Sequence, residues 1–288
     1  MIIDFHVHTF PDKIALNTLE KLSKLSCTQY FTDGSVSGLL ASMKAASVSY
    51  SVNLPVMTHE SQVEKVNSSM ISGRENLLKQ GIVTFGGMHP DYADYKSELL
   101  RLKENGIPGI KLHPAYQHTN LTDLKMMHII DYASQLGLIV LIHAGIDIGI
   151  YDHNYADVHQ ILNVIEEIHP PKFVLAHMGN WACWHDVEQY LVGAPVWFDT
   201  AFSIGPLTPC KANHGKLPYL SSNLSDDDFV RIIRKHGADK ILFATDSPWE
   251  SQKDYISRLE NTPLTNQEKE LIFSVNARQL LSGNNLLV

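Results

Sequence analysis

The chain has 288 residues, 44% of them hydrophobic and 19% charged, with a formal net charge of −8, which is the make-up of a globular protein with a substantial core. The acidic balance, with no Lys/Arg-rich run, excludes nucleic acid and anionic membranes as partners, since both are captured by clustered cations, and the longest apolar runs, such as residues 138–142, are too short to span a bilayer. Three scattered cysteines, Cys27, Cys183 and Cys210, form no Cys-x-x-Cys pair, so neither a disulfide framework nor a thiolate zinc site is expected and the compartment reads as reducing and cytoplasmic.

The first predicted strand covers residues 2–9, and no secretory leader is expected ahead of it. Alternation places Asp4, His6 and His8 on one face and Ile3, Phe5 and Val7 on the other, the second set ready to be covered by helices. Two imidazoles two residues apart can grip one metal ion from the same side. A helical pattern over residues 11–25 follows, then a second helix closing at Ala46, and a strand over 48–55. A polar helix over 61–80 leads to strand three, 81–90, which ends in His89-Pro90. Helix 97–105 stops at Gly106, strand four (109–114) ends in His113-Pro114, and helix 123–136 stops at Gly137. Strand five covers 138–145, helix 157–168 follows, and strand six covers 172–180. Helix 184–191, strand seven (196–200), helix 226–236, strand eight (240–249) and a last helix over 267–281 complete the chain.

Eight strands buried on both faces, each followed by helix or long loop, predict a (β/α)8 TIM barrel in a single domain over residues 1–288. The rival, a doubly wound open sheet, would need a Gly-rich turn after strand one, where this chain has His8-Thr9-Phe10-Pro11.

In such barrels the chemistry sits at the C-terminal strand ends. Those positions hold His6 and His8, His89, Lys111 and His113, His143, His177, Asp199 and Asp246, so six of the fifteen histidines stand at strand exits. The stretches Asp4-Phe5-His6-Val7-His8, Lys111-Leu112-His113-Pro114, His143-Ala144-Gly145, His177-Met178-Gly179-Asn180, Thr245-Asp246-Ser247-Pro248-Trp249 and Asn276-Ala277-Arg278 together resemble the metal-dependent amidohydrolase superfamily. The likeness is to its amidohydrolase-related branch of hydrolases, hydratases and aromatic-acid decarboxylases, and it runs from residue 2 to about residue 281.

The resemblance implies His6, His8, His143 and Asp246 as ligands of one divalent metal, a donor set that suits Zn2+. It makes Asp246 the acceptor and donor of the water's proton, and His177 the hydrogen-bond partner of the nucleophile or the developing oxyanion. It also implies a two-metal alternative, in which a carboxylated Lys111 bridges the ions and His143 and His177 hold the second; a free Lys111 would instead pair with Asp246 or Asp4. His89, His113, Lys111 and Trp249 are the substrate-binding candidates, with loop packing the equal alternative for His89 and His113. Asp4 is expected one layer below His6 in a hydrogen-bonding role, and Asp199 either to orient a ligand histidine or to cap its loop. His59, His118, His153, His159 and His214 are expected in solvated helices or loops.

The function expected is hydrolysis of a small polar substrate by a metal-activated water. The alternatives are a carbon–carbon lyase, disfavoured because Arg74, Arg101, Arg231, Arg234 and Arg278 all fall in helices, and a non-catalytic binding protein on the same barrel. A small molecule is the expected partner. The loop over 202–223, with Gly205, Pro206, Pro209, Gly215 and Pro218, is a candidate lid or a contact between copies in a homo-oligomer.

Overall fold

The computed structural model describes residues 1–210 and 223–282, so His214, Gly215, Pro218 and much of the candidate lid lie outside the described residues. The parallel strands run in chain order. β1 (Ile3–Val7), β2 (Tyr50–Asn53) and β3 (Ile82–Thr84) form one sheet. β4 (Gly86–Gly87), β5 (Gly109–Leu112), β6 (Ile139–Ile142), β7 (Phe173–Leu175), β8 (Trp197–Asp199) and β9 (Ile241–Leu242) form the other. β3 and β4 are two pieces of one stave broken at Phe85, whose amide donates to the Asn53 carbonyl at 3.0 Å. The ring closes where the Phe5 amide donates to the Phe243 carbonyl and the Asp246 amide to the His6 carbonyl, each at 2.8 Å, and where Val7 bridges Ser247 in parallel. Eight staves closed in this way make the (β/α)8 barrel.

The helices start where short polar side chains can take up a free amide. Ser35 caps α2 (Val36–Ala46), Asp123 caps α5 (Leu124–Gln135), Asp157 caps α6 (Val158–Ile168) and Ser225 caps α8 (Asp226–His236). The remaining early helices are α1 (Asp12–Ser26), α3 (Val63–Lys79), α4 (Tyr95–Glu104) and α7 (Trp184–Asp186), the last continued by a π-helical turn, Val187–Leu191. The predicted last helix is split into α10 (Asn266–Glu270), a π-helical stretch (Leu271–Val275) and α11 (Asn276–Leu281). Between them and β9 lies α9 (Gln252–Glu260), which periodicity did not reveal because its outer face is charged and its apolar stripe is short. Its signal was the cap, since Ser251 accepts from the Asp254 amide.

Alternation along each stave divides the core. Ile110, Leu112, Val140, Ile142 and Phe243 pack outward against helix residues such as Leu102, Ile129 and Ile256. Val52, Leu54, Val83, Ile139, Leu141, Val174 and Leu242 fill the barrel, with Ala277, Leu280 and Leu281 of α11 joining the inner cluster. The first stave departs from the alternation expected of it. Its pairing with β2 runs Ile3↔Tyr50, Asp4↔Ser51, then Val7↔Asn53, so one extra residue sits on β1 as a bulge. Ile3 and Phe5 therefore join the inner cluster, Phe5 meeting Phe85 edge-on at 6.0 Å. His6, beyond the bulge, still reaches the mouth. Asp4 turns the other way, to a bed of Ser51, Thr245 and Gln252 on the outer wall. Its hydrogen-bonding role is as expected, but it does not lie under His6 and cannot pair with Lys111. Among the described residues no helix is long and apolar enough to cross a membrane.

Candidate metal centre

The strand ends bring their polar residues to one mouth. His8 Nε2 lies 3.1 Å from His6 Nε2 and 3.1 Å from Asp246 Oδ1, and His6 Nε2 is 3.5 Å from the same oxygen. The far side of each ring is tied down. His6 Nδ1 donates to Asp199 Oδ2 at 2.8 Å, and His8 Nδ1 donates to the Leu54 carbonyl at 2.7 Å. A carbonyl or carboxylate there fixes the proton on Nδ1, so both Nε2 atoms face the cavity as bare lone pairs. Lys111 Nζ approaches His6 Nε2 at 3.3 Å and, among the described residues, makes no ion pair with a carboxylate. Burial pushes the Lys111 ammonium down and the Asp199 carboxyl up from their ordinary values, and their mutual attraction opposes both shifts.

His177 stands beside this trio, its ring 5.4 Å from that of His6. Its Nδ1 donates to the Ala201 carbonyl at 2.9 Å, so Nε2 is again a bare lone pair, lying 3.0 Å from His143 Nδ1. Burial lowers the His177 pKa to about 4, which keeps the ring neutral and an acceptor at Nε2. Backbone bends aim these groups. His177 and Asp246 adopt left-handed φ values of 61° and 69° as their strands end, which costs about 1–3 kcal/mol each and is tolerated where surrounding contacts hold it. Gly145 has φ 96°, and a Cβ there would meet the Trp181 amide at 2.2 Å, so only glycine lets the loops after β6 and β7 approach.

His6, His8, His113, His143, His177, Lys111, Asp199 and Asp246 are all brought to the mouth or its wall. His143 is not in the tight trio of His6, His8 and Asp246; it joins through His177. Asp199 does both things expected of it, since Oδ1 accepts the His177 and Ala201 amides while Oδ2 holds His6. His89 is buried, but its hydrogen bond is to its own loop, Nδ1 accepting from the Asp91 amide at 3.2 Å. Trp249 is half-buried and packs on the outer hydrophobic cluster. Three residues were not anticipated. Asp147 lies 3.7 Å from His113 Nε2, and the Tyr116 ring packs against that of His113 at 4.4 Å with the planes tilted by 57°. Gln117 ties three strand exits together, binding the Met57 and Met88 carbonyls and accepting the His113 amide. None belongs to a strand, so neither alternation nor strand-end counting could find them.

A barrel whose mouth presents imidazole lone pairs and a carboxylate oxygen within hydrogen-bond distance of one another is of the metal-dependent enzyme class. These groups repel unless something positive lies between them, and the donor set of two imidazole lone pairs and a carboxylate oxygen fits a divalent cation.

Residues 3–282 match the amidohydrolase family model, and the chain belongs to that family. Its members are metal-dependent hydrolases or decarboxylases, and this chain is an enzyme of that kind. Solved structures agree on the fold. An uncharacterised TIM-barrel protein from Bordetella bronchiseptica superposes with a TM-score of 0.74 at 16% identity over 98% of each chain. A dihydroxybenzoic acid decarboxylase from Polaromonas sp. JS666, bound to manganese and the inhibitor 2-nitroresorcinol, gives 0.68 at 14% identity over 99% of this chain and 97% of its own. A Pseudomonas putida protein provisionally named a 2-pyrone-4,6-dicarboxylic acid hydrolase gives 0.65 at 16% over 98% and 97%. No curated protein matches the sequence.

Proposed function

We propose that the enzyme hydrolyses a small polar substrate, an amide, lactam, ester or lactone, with a water activated by a bound divalent metal. The observation that carries this is the convergence of His6 Nε2, His8 Nε2 and Asp246 Oδ1 at 3.1–3.5 Å, with the opposite ring nitrogens already committed. These three atoms would hold the cation, with His143 offering Nδ1 from the His177 side. Three imidazoles and one carboxylate suit Zn2+, which when bound lowers a water's pKa toward ~7 and polarises a carbonyl.

The chain's own groups then have defined tasks. Asp199 holds His6 in the tautomer that faces the cavity. Asp246 takes the proton of the attacking water and returns it to the leaving group. His177, neutral with a lone pair on Nε2, orients that water as an acceptor; this tautomer suits the nucleophile rather than the oxyanion. Lys111, a buried ammonium that feels Asp199, Asp246 and Asp147, is the group to donate to a developing negative charge. His113, with Tyr116 packed against it, forms a wall for the substrate, and Trp249 is a candidate for another. A carboxylate substrate, as a carbon–carbon lyase would require, finds no arginine on the strands, which favours hydrolysis. The protein is expected to act in the cytoplasm.

The test is elemental analysis of untagged protein purified without chelators, followed by a panel of lactones, lactams, esters and amides alongside aromatic carboxylic acids. Metal-dependent hydrolysis lost in Asp246→Asn supports the reading, whereas release of carbon dioxide from an acid would replace it with the lyase. Absence of metal after reconstitution would replace it with the non-catalytic barrel. Near one ion per chain fits a free Lys111, and near two fits a carboxylated one with His177 as ligand.

A further inference from the structure

Behind the mouth a second buried group surrounds Asp147, in the loop after β6, and the tautomers of its neighbours can be read from their partners. The His113 Nδ1 accepts the Tyr116 amide at 3.3 Å, so the proton of that ring is on Nε2, 3.7 Å from Asp147 Oδ2. His177 Nε2 is a bare lone pair, so in the contact at 3.0 Å the proton is on His143 Nδ1. That leaves His143 Nε2 as a buried lone pair without a donor, facing Asp147 Oδ2 at 3.9 Å. A lone pair facing a carboxylate is unfavourable, and it is relieved if the proton moves from Nδ1 to Nε2. The Asp147 carboxylate is itself held in place, because Oδ1 accepts the Gly149 amide at 2.8 Å.

We propose that Asp147 is a positioning residue that accepts a hydrogen bond from His143 Nε2–H and thereby holds that ring in the tautomer whose Nδ1 faces the cation cavity. This rests on the metal-centre reading above. The proton is conserved, since His143 gives up Nδ1–H and gains Nε2–H, and Nδ1 and His177 Nε2 then offer two lone pairs side by side. His113 Nε2–H, on the ring stacked against His143, is directed at the same carboxylate oxygen and helps keep Asp147 turned toward the pair.

The same three residues, His113, His143 and Asp147, have ligand atoms within 4.8 Å of one another and could be read as a metal site in their own right. The geometry opposes that. The His113 and His143 rings are stacked at 4.2 Å with planes 14° apart, so their in-plane lone-pair directions run parallel rather than converging. His113 Nε2 also carries a proton.

The experiment uses full-length protein labelled with 15N-histidine, chelator-treated and then titrated with zinc chloride, with affinity read by competition against a chromophoric chelator. The proposal expects the His143 signals to change from the Nδ1–H to the Nε2–H tautomer as zinc binds. It expects zinc affinity to fall roughly 10–100-fold in Asp147→Ala and less in Asp147→Asn, whose side-chain oxygen can still accept, with one zinc per chain throughout. Unchanged affinity in Asp147→Ala, or zinc-loaded wild type with His143 still protonated on Nδ1, overturns the proposal while leaving the metal centre standing. Two zinc ions per chain in wild type and one in Asp147→Ala overturns it in favour of a second metal site. Wild type that takes up no zinc overturns the metal-centre reading and the proposal with it.

Discussion

Two aspartates face opposite sides of the barrel wall, both wholly buried, and their surroundings give them opposite tasks. Asp4, on the helix-facing side, accepts four hydrogen bonds, from the His6 and Thr245 amides, the Thr245 hydroxyl and the Gln252 amide group. Those donors are backbone or neutral, and none reaches the mouth. Burial still raises its pKa to about 6, so the four bonds only partly offset the cost of removing the charge from water. Asp199, on the inner side, uses one oxygen on backbone amides and spends the other on a histidine ring whose far nitrogen faces the cavity. A buried polar group that is satisfied among its neighbours holds a wall together. One whose partner is left with a free lone pair builds a site.

This contrast can be broken at either side, and the largest effect belongs to the mouth. His6→Ala and Asp246→Asn should reduce turnover to background while the thermal unfolding midpoint changes little; near-wild-type rates in either would remove the metal–water mechanism. Next in size, Asp199→Ala should free the His6 tautomer and weaken cation binding roughly 10–100-fold, measured by chelator competition. Asp4→Ala should do the converse. It strands buried donors at about 1–3 kcal/mol apiece, seen as a lower denaturation midpoint, while the affinity of the folded fraction for zinc stays near wild type.

The smallest expected effect lies on the surface. Glu188 is held down to about 2 by hydrogen bonds from Arg231 and Lys235. A depressed carboxyl contributes its stability above the ordinary value near 4.5 and loses it as pH falls through about 2. Being solvent-screened, the contribution is small. Glu188→Gln should therefore flatten the acid limb of the stability profile slightly and leave activity at neutral pH unchanged.

The sequence by itself determined the barrel and which residue types stand at its strand exits. Strand patterns in Val140, Ile142 and Val174 and helix caps such as Asp157 and Ser225 are local, so they can be read without knowing what packs on them. His6, His8, Lys111, His113, His143, His177 and Asp246 were legible for the same reason, because each follows an apolar run that must end at the mouth. Tertiary structure decided what a one-dimensional period cannot carry. The bulge in β1 arises only against its partner strand, and it sends Asp4 outward and Phe5 inward. Asp147, Tyr116 and Gln117 lie on loops, where no periodicity announces a direction. The tautomers that make one set of histidines face a cavity depend on carbonyls of Leu54 and Ala201, far away in sequence. Hydrogen bonds between distant segments are set by the closure of the whole ring, and that closure is where the site acquires its chemistry.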